Sequence, residues 1–107
     1  MSWKDSRKKE IQKLFELIET KYSIAKEELI SKSRKKKLVA ARKLFMNLLY
    51  ELYEIDNMTH TDISKIINLD RTSFIHHRNA HLNEYDRYKD YKRDYDCFKK
   101  EFETLLK

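Results

Sequence analysis

Apolar residues recur at steps of three and four along most of this chain, which is the spacing of one face of an α-helix. From Asp5 to about Thr20 this spacing predicts a first amphipathic helix. Its apolar stripe consists of Ile11, Leu14, Phe15, Leu17 and Ile18. The pattern predicts no strand anywhere, so the expected fold class is all-α.

Two more helices are predicted before residue 56. Ser23 is expected to cap a short helix anchored by Ile24, Leu29 and Ile30. The longest helical pattern then runs from 38 to 55, and Asp56-Asn57-Met58 reads as a turn after it. The broad apolar face of this long helix predicts that it is central; it contains Leu38, Ala41, Leu44, Phe45, Leu48, Leu49 and Leu52.

The segment from about 60 to 84 has the pattern of a helix-turn-helix. Thr59-His60-Thr61-Asp62 resembles a capping box that opens a short helix anchored by Ile63, Ile66 and Ile67. After a turn of about three residues, Asp70 is placed to cap a second helix that begins with Arg71. Such a turn usually holds a glycine. Asn68 is expected to take that position, because asparagine tolerates the left-handed conformation best after glycine.

The second helix of this motif has two different faces when about 100° is allowed per residue. Phe74, Ile75, Leu82 and Tyr85 are expected to be buried, and Arg71 and Arg78 to carry their charges out to water or phosphate. The opposite face is short and mostly polar; it contains Thr72, Ser73, His76, Asn79, Ala80 and Asn83. Such a face fits a major groove, although an ordinary solvated helix surface would look similar. The residues predicted to read base edges are Arg71, Thr72, Ser73, His76 and Asn79.

The remaining segment predicts a C-terminal helix at about 87–106, with an aromatic stripe at three- and four-residue steps. The stripe consists of Tyr85, Tyr88, Tyr91, Tyr95, Phe98, Phe102 and Leu105. We expect it to form core, or to contact a protein partner or a second copy of the chain, rather than to stack on bases. The 107 residues are then one domain, 1–107, forming a compact helical bundle.

The positive charge of the chain is concentrated in one window. The net charge is +6, and residues 31–50 hold seven basic residues and no acidic one, while the rest is nearly neutral. A local basic patch is the electrostatic footprint of a nucleic-acid binder, although a flexible solvated turn could also carry it. The residues predicted to contact the DNA backbone are Lys32, Arg34, Lys35, Lys36, Lys37 and Arg42.

Several other classes of function are disfavoured. The chain has no glycine, so it can form neither a phosphate-cradling loop nor a dinucleotide fingerprint, and no nucleotide or other cofactor is expected. Cys97 is the single cysteine, and no long apolar run or signal-like segment occurs, which together favour a reducing cytoplasm and no membrane role. His76, His77 and His81 lie close together but lack the glutamate of a zinc-binding helix motif, so no metal is expected. Titration of His76 could make binding pH-dependent.

The stretches LISKSRKKKLVAARKLFMNLLYEL and DISKIINLDRTSFIHHR resemble the C-terminal DNA-binding domain of the bacterial replication initiator DnaA, over roughly residues 8 to 107. Asp70, Thr72, Ser73, Ile75 and His76 match the Arg-Asp-His-Thr-Thr-Val-Leu-His stretch of that family. The resemblance implies that the basic segment, residues 32–37, reaches the minor groove. It also implies a DNA-contacting arginine at Arg42, and Thr59 and His60 are assigned to the DNA backbone.

Some positions depart from the family. The turn looks one residue shorter, and Leu69 stands where an arginine is expected, so base preference is expected to differ. The ATPase domain that precedes this module in the family is not in the sequence. The resemblance therefore implies a small non-enzymatic regulator of replication or transcription that binds double-stranded DNA at origin-like sites. The main alternative is a basic helical protein-interaction module; RNA binding is less favoured, since no strand is predicted.

Overall fold

Six α-helices form within the residues that the computed structural model describes, which are 3–53 and 58–106. They are α1 (Trp3–Tyr22), α2 (Lys26–Leu29), α3 (Lys36–Tyr53), α4 (His60–Ile66), α5 (Arg71–Arg87) and α6 (Lys89–Leu105). The all-α prediction is confirmed. Of the turn predicted at residues 56 to 58, only Met58 is described, and the predicted end of the long helix at Ile55 also lies outside the described residues.

The long helix α3 lies at the centre of the core, as its broad apolar face predicted. The rings of Phe15 on α1 and Phe45 on α3 pack with their centroids 4.5 Å apart. Helix α6 closes the bundle against α1, where the centroids of Tyr22 and Phe98 lie 6.1 Å apart. The fully buried apolar side chains of α3 include Leu38, Phe45, Met46, Leu48 and Leu49. Burial of apolar side chains from several helices is the main stabilising contribution in such a small bundle.

Two non-glycine residues with positive φ make the sharp turns between helices. Asn68 has φ 58°, as predicted for the turn of the helix-turn-helix. Ser23 also has φ 58° and follows the end of α1, so the prediction that it caps α2 is wrong. The N-cap of α2 is Ala25, whose backbone N–H donates to Glu28 Oε1 at 3.3 Å. A left-handed Ser23 ends one helix and therefore cannot also have the extended conformation of an N-cap.

Both helices of the helix-turn-helix begin with side-chain caps. At the start of α4, the Asp62 N–H donates to Thr59 Oγ1 at 3.2 Å and the Thr59 N–H donates to Asp62 Oδ2 at 3.0 Å, which confirms the capping box. At the start of α5, the Ser73 N–H donates to Asp70 Oδ1 at 2.7 Å. This backbone hydrogen bond lowers the pKa of Asp70, so the cap stays ionised at neutral pH.

The inward face of α5 is more polar than its sequence pattern predicted. Phe74 is buried as expected, but Ile75 and Leu82 are 40% and 47% exposed, so their predicted burial is wrong. His81 is buried instead, and Arg78 carries its charge to a carboxylate of α3 rather than to water or phosphate. Since α3 presents polar groups to α5, the apolar residues of α5 do not mark its inward side.

Most of the predicted aromatic stripe of α6 faces the core, whereas Leu105 at its end is 46% exposed. Tyr95, Phe98 and Phe102 are buried, whereas Tyr88, which lies between α5 and α6, is 58% exposed. Cys97 lies on the exposed side of α6. The stripe thus packs into the core of this chain, which was one of the roles predicted for it.

Candidate nucleic-acid interface

The loop between α2 and α3 is held by a buried arginine. Arg42 is 3% exposed, and its guanidinium donates to the backbone carbonyls of Leu29 (2.7 Å), Ser31 (2.8 Å), Ser33 (2.6 Å) and Glu28 (3.3 Å). Arginine suits this position because its fixed fork of N–H donors reaches several acceptors at once. Burial lowers the pKa of Arg42. The prediction that Arg42 contacts DNA is therefore wrong: its side chain shapes the loop from beneath.

The same loop is joined directly to the turn of the helix-turn-helix. Lys32 Nζ donates to the Asn68 carbonyl at 2.9 Å, and the Asn68 side-chain amide donates to the Ile30 carbonyl at 3.2 Å. These residues are 36 and 38 positions apart in the sequence. The two hydrogen bonds hold the basic segment beside the start of α5, and we call this arrangement the loop–turn bridge.

All the charged residues of the basic segment are exposed. Lys32, Arg34 and Lys35 lie in the loop, while Lys36 and Lys37 form the first turn of α3. Within the described ranges, no ion pair neutralises Arg34 or the three lysines that follow it. A run of cations without counter-charges creates a local positive potential that attracts a polyanion.

Most of the predicted base-reading residues share the exposed side of α5. Arg71, Thr72, His76 and Asn79 are exposed. Ser73 is only half-buried at the edge of this surface, and its backbone is part of the α5 cap. Apart from Arg71, these side chains are short, which leaves the first turns of α5 narrow enough to approach the floor of a major groove.

A crevice of about 510 Å³ separates the loop from α5. Its walls come from the loop, from α3 and from the start of α5. The lining residues are Ser31, Lys32, Ser33, Arg34, Val39, Arg42, Leu69, Asp70, Ser73 and His77. Asp70, which is engaged as the α5 cap, is the acidic residue among them, so the crevice is predominantly basic.

The remaining predicted backbone contacts lie at the start of α4. Thr59 is exposed and caps the helix. His60 is half-buried, with its ring stacked on Phe74 at 4.6 Å and tilted against Tyr50 at 5.0 Å between centroids. His60 therefore packs α4 against α3 and α5, and only its exposed portion is accessible to a ligand.

The sequence pattern missed a set of polar contacts that fixes α5 on α3. Arg78 Nη1 donates to Asn47 Oδ1 at 3.0 Å and to Glu51 Oε2 at 3.1 Å. The hydroxyl of Tyr95 donates to Glu51 Oε1 at 2.6 Å, which brings α6 into the same network. His81 is buried beside it, with Nε2 3.6 Å from Glu51 Oε2. We call this network the polar seam; its sequence signal was the spacing of Asn47 and Glu51, four apart within the otherwise apolar second half of α3.

Burial of the Glu51 carboxyl opposes ionisation, but hydrogen bonds from His81, Tyr95 and Arg78 outweigh it. They lower the pKa of Glu51 to about 2. Glu51 is therefore a carboxylate at neutral pH. A half-buried charge that accepts from several donors favours one specific arrangement of its partners, so the polar seam helps to define how α5 sits on the bundle.

The described residues contain neither a metal cluster nor a helix suited to crossing a bilayer. No group of three or more potential metal ligands comes together among them. Of the three histidines considered as ligands, His76 is exposed, His77 is half-buried, and His81 Nδ1 lies 2.7 Å from the Tyr91 hydroxyl. No helix in these ranges is both long and apolar enough for a membrane span.

Comparison with protein families identifies the origin of this arrangement. The family model described as bacterial dnaA protein helix-turn-helix matches residues 11–80, which is more than half of the chain. The chain belongs to the DnaA helix-turn-helix family. Comparison with curated proteins found no match, and neither did comparison with solved structures. The DnaA family match contains the basic segment, the capped α4 and the first ten residues of α5, and it confirms the resemblance inferred from the sequence.

Membership fixes the coarse chemistry of the domain. The DnaA helix-turn-helix is a DNA-binding module and not a catalytic one, so DNA is the expected ligand of this chain. The matched region ends within α5, whereas the resemblance was drawn as far as residue 107. Helix α6 lies outside the matched region and packs against α1 and α5.

Proposed function

We propose that this DnaA-family domain binds double-stranded DNA in a sequence-specific manner and acts as a small regulator of replication or transcription. Helix α5 enters the major groove, where Arg71, Thr72, His76 and Asn79 read base edges and Ser73 contributes from the edge of the surface. The basic segment, with Thr59 and the exposed part of His60, contacts phosphates, and its loop reaches the adjacent minor groove.

The observation that carries this proposal is the loop–turn bridge. It places the basic segment and the first turns of α5 on the same side of the molecule, with the basic crevice between them. A duplex bound on that side can meet both surfaces at once. Had the two surfaces lain on opposite sides, one DNA site could not have engaged them together.

The two surfaces are expected to contribute differently. Lysines that neutralise phosphates bind all sequences alike and make the affinity fall steeply with salt. Short polar side chains at base edges contribute selectivity, because an incorrect base leaves their hydrogen-bonding groups unpaired. The basic segment therefore provides affinity, and α5 provides the choice of sequence.

The test begins with selection from a pool of random duplexes by the purified protein. Enrichment of one motif is expected. On that motif, the triple change of Lys35, Lys36 and Lys37 to Gln should weaken binding to all sequences and reduce the salt slope by about one per lost contact. The pair Thr72→Ala and His76→Ala should instead narrow the gap between the motif and random DNA by ~1–3 kcal/mol per good contact.

A matched control removes the same number of positive charges from another part of the surface. Lys8, Lys9 and Lys100 are exposed on α1 and α6, and their triple change to Gln also removes three positive charges. It should reduce affinity less than the change in the basic segment does. Equal losses in the two triple variants would indicate attraction by net charge alone and would contradict the proposed interface.

The same selection decides between DNA binding and the protein-interaction alternative. Recovery of no DNA at low salt would favour a module that binds an acidic partner or a second copy of the chain. The tyrosine-rich helix α6 would be the surface to examine in that case, although Tyr95 faces inward and Tyr88 is the more exposed ring. Flat recovery of all sequences would favour a general DNA binder.

A further inference from the structure

The basic crevice lies where one DNA strand would have to pass. On the proposed function, α5 occupies a major groove and the basic segment reaches the adjacent minor groove. Neighbouring grooves of a duplex are separated by a single sugar-phosphate strand. The protein surface between α5 and the loop is the crevice, so phosphates of that strand come to its mouth.

One titratable side chain that lines this crevice has no part in the proposed base reading. His77 lies on the flank of α5, one position after His76 and one turn after Ser73, and it is half-buried where His76 is exposed. No hydrogen bond engages its ring within the described residues, and its backbone carbonyl accepts from the Asn47 amide at 3.3 Å. The backbone of His77 is thus held against α3, while its ring nitrogens have no hydrogen-bond partner among the described residues.

The charges around His77 come from every element packed against it. Helix α3 contributes Arg42 and Lys43, of which Lys43 is paired with Glu84. The loop contributes Lys32 and Arg34, and the turn before α5 contributes Asp70. His76 adds a further titratable group on α5 itself. The surroundings are therefore predominantly positive.

We propose that His77 is a phosphate-binding residue of this domain and that it takes up a proton when the DNA backbone occupies the crevice. This inference rests on the proposed function, since it requires that duplex DNA cover both α5 and the loop. It adds a proton-linked contact to the salt-dependent contacts of the lysines.

The surroundings of His77 disfavour its protonated form in the free protein and favour it in the DNA complex. In the free protein, burial lowers the pKa of His77, and the positive charges of Lys43 and Arg42 lower it further. The ring is therefore neutral at neutral pH. A phosphate beside the ring supplies the opposite charge and an acceptor for an N–H, both of which favour the imidazolium. Binding should therefore raise the pKa of His77 and strengthen as the pH falls.

The experiment measures protons as well as affinity. Binding of a mixed-sequence duplex of about 20 base pairs is followed by titration calorimetry in buffers that differ in ionisation enthalpy, at about pH 6 and about pH 8. The difference between buffers gives the number of protons taken up per complex. The variants are His77→Gln and, for comparison on the neighbouring exposed position, His76→Gln. Thermal melting of each variant confirms that it folds.

For the unchanged protein, we expect proton uptake of up to one per complex near pH 6, and affinity that rises by at most about tenfold for each unit by which the pH is lowered. His77→Gln should abolish most of that uptake and flatten the pH profile. His76→Gln should retain the uptake even where its affinity falls. Such a result would assign the proton to the crevice.

The outcomes separate the two proposals. Duplex binding with proton uptake unchanged in His77→Gln would overturn the role of His77 and leave DNA binding intact. Uptake lost in His76→Gln but kept in His77→Gln would place the proton on the base-reading face and overturn the inference equally. No binding by the unchanged protein at either pH would overturn both proposals.

Discussion

Replacing Glu51 by glutamine removes one charge from the polar seam and keeps the size of the side chain. The carboxylate accepts from Tyr95 at 2.6 Å and Arg78 at 3.1 Å, and it lies 3.6 Å from His81 Nε2. A glutamine side chain has one oxygen that can accept a hydrogen bond, and its NH₂ group would face one of the present donors. We therefore expect Glu51→Gln to loosen the attachment of α5 and α6 to α3.

The magnitude follows from the titration of Glu51. Its pKa falls from 4.5 to about 2 on folding, and each pKa unit corresponds to about 1.4 kcal/mol. The ionised carboxylate thus contributes about 3 kcal/mol to the free energy of unfolding at neutral pH. Because the pKa is lowered in the folded state, this contribution is complete above about pH 4.5 and is lost as the pH falls towards 2.

Urea denaturation at a series of pH values tests this reasoning. At neutral pH the unchanged protein should exceed Glu51→Gln by about 3 kcal/mol in the free energy of unfolding, and the difference should shrink below about pH 4.5. The matched control is Glu101→Gln, which removes a carboxylate from the exposed pair with Lys21. Exposed pairs contribute about 1 kcal/mol or less, so the control should differ little.

Two results would refute the role given to Glu51. One is a Glu51→Gln variant as stable as the unchanged protein at neutral pH. The other is a stability difference that stays constant down to about pH 3, because loss of packing alone does not titrate with a carboxylate. Either result would mean that the donors around Glu51 do not favour its ionised form as the geometry indicates.

Two further variants test the loop and the turn. Arg42→Leu should destabilise the fold by about 3 kcal/mol, because it leaves several loop carbonyls without a donor. It should also weaken binding to all DNA sequences alike. Denaturation measures the first effect and fluorescence anisotropy the second, and a loss of sequence preference alone would contradict the structural role of Arg42. Asn68→Ala should cost about 1 kcal/mol or more at a left-handed position, whereas Asn68→Gly should cost less, and the reverse order in denaturation would count against the conformational argument.

Much of the fold followed from local rules of the sequence. The apolar period located α1 and α3, because both helices bury one broad apolar face against the same core. The capping residues Thr59 and Asp70 located the starts of α4 and α5, since cap preferences depend on a few neighbouring positions. The role of Asn68 was also predicted locally, because a chain without glycine has few residues that tolerate a left-handed turn.

The parts that the sequence did not predict depend on partners that are distant or have no side-chain signature. Arg42 looked like one more DNA-contacting cation because it lies in the basic window. Its acceptors are backbone carbonyls, and because every residue has one, the sequence does not show which of them will accept from a given side chain. The orientation of α5 was misjudged at Ile75 and Leu82, because its inward side meets the polar seam. Hydrophobic periodicity assumes an apolar partner surface, and Asn47 and Glu51 on α3 do not provide one.

The loop–turn bridge also bears on the length of the DNA site. Because Lys32 and Asn68 are hydrogen-bonded to each other's segments, the protein sets the separation between its two contact surfaces. One extra base pair between the two contacted stretches would displace one of them by about 3.4 Å along the duplex axis. On the proposed assignment, the domain therefore measures the spacing within its site as well as reading its bases, and a correct sequence at the wrong spacing would be bound like random DNA.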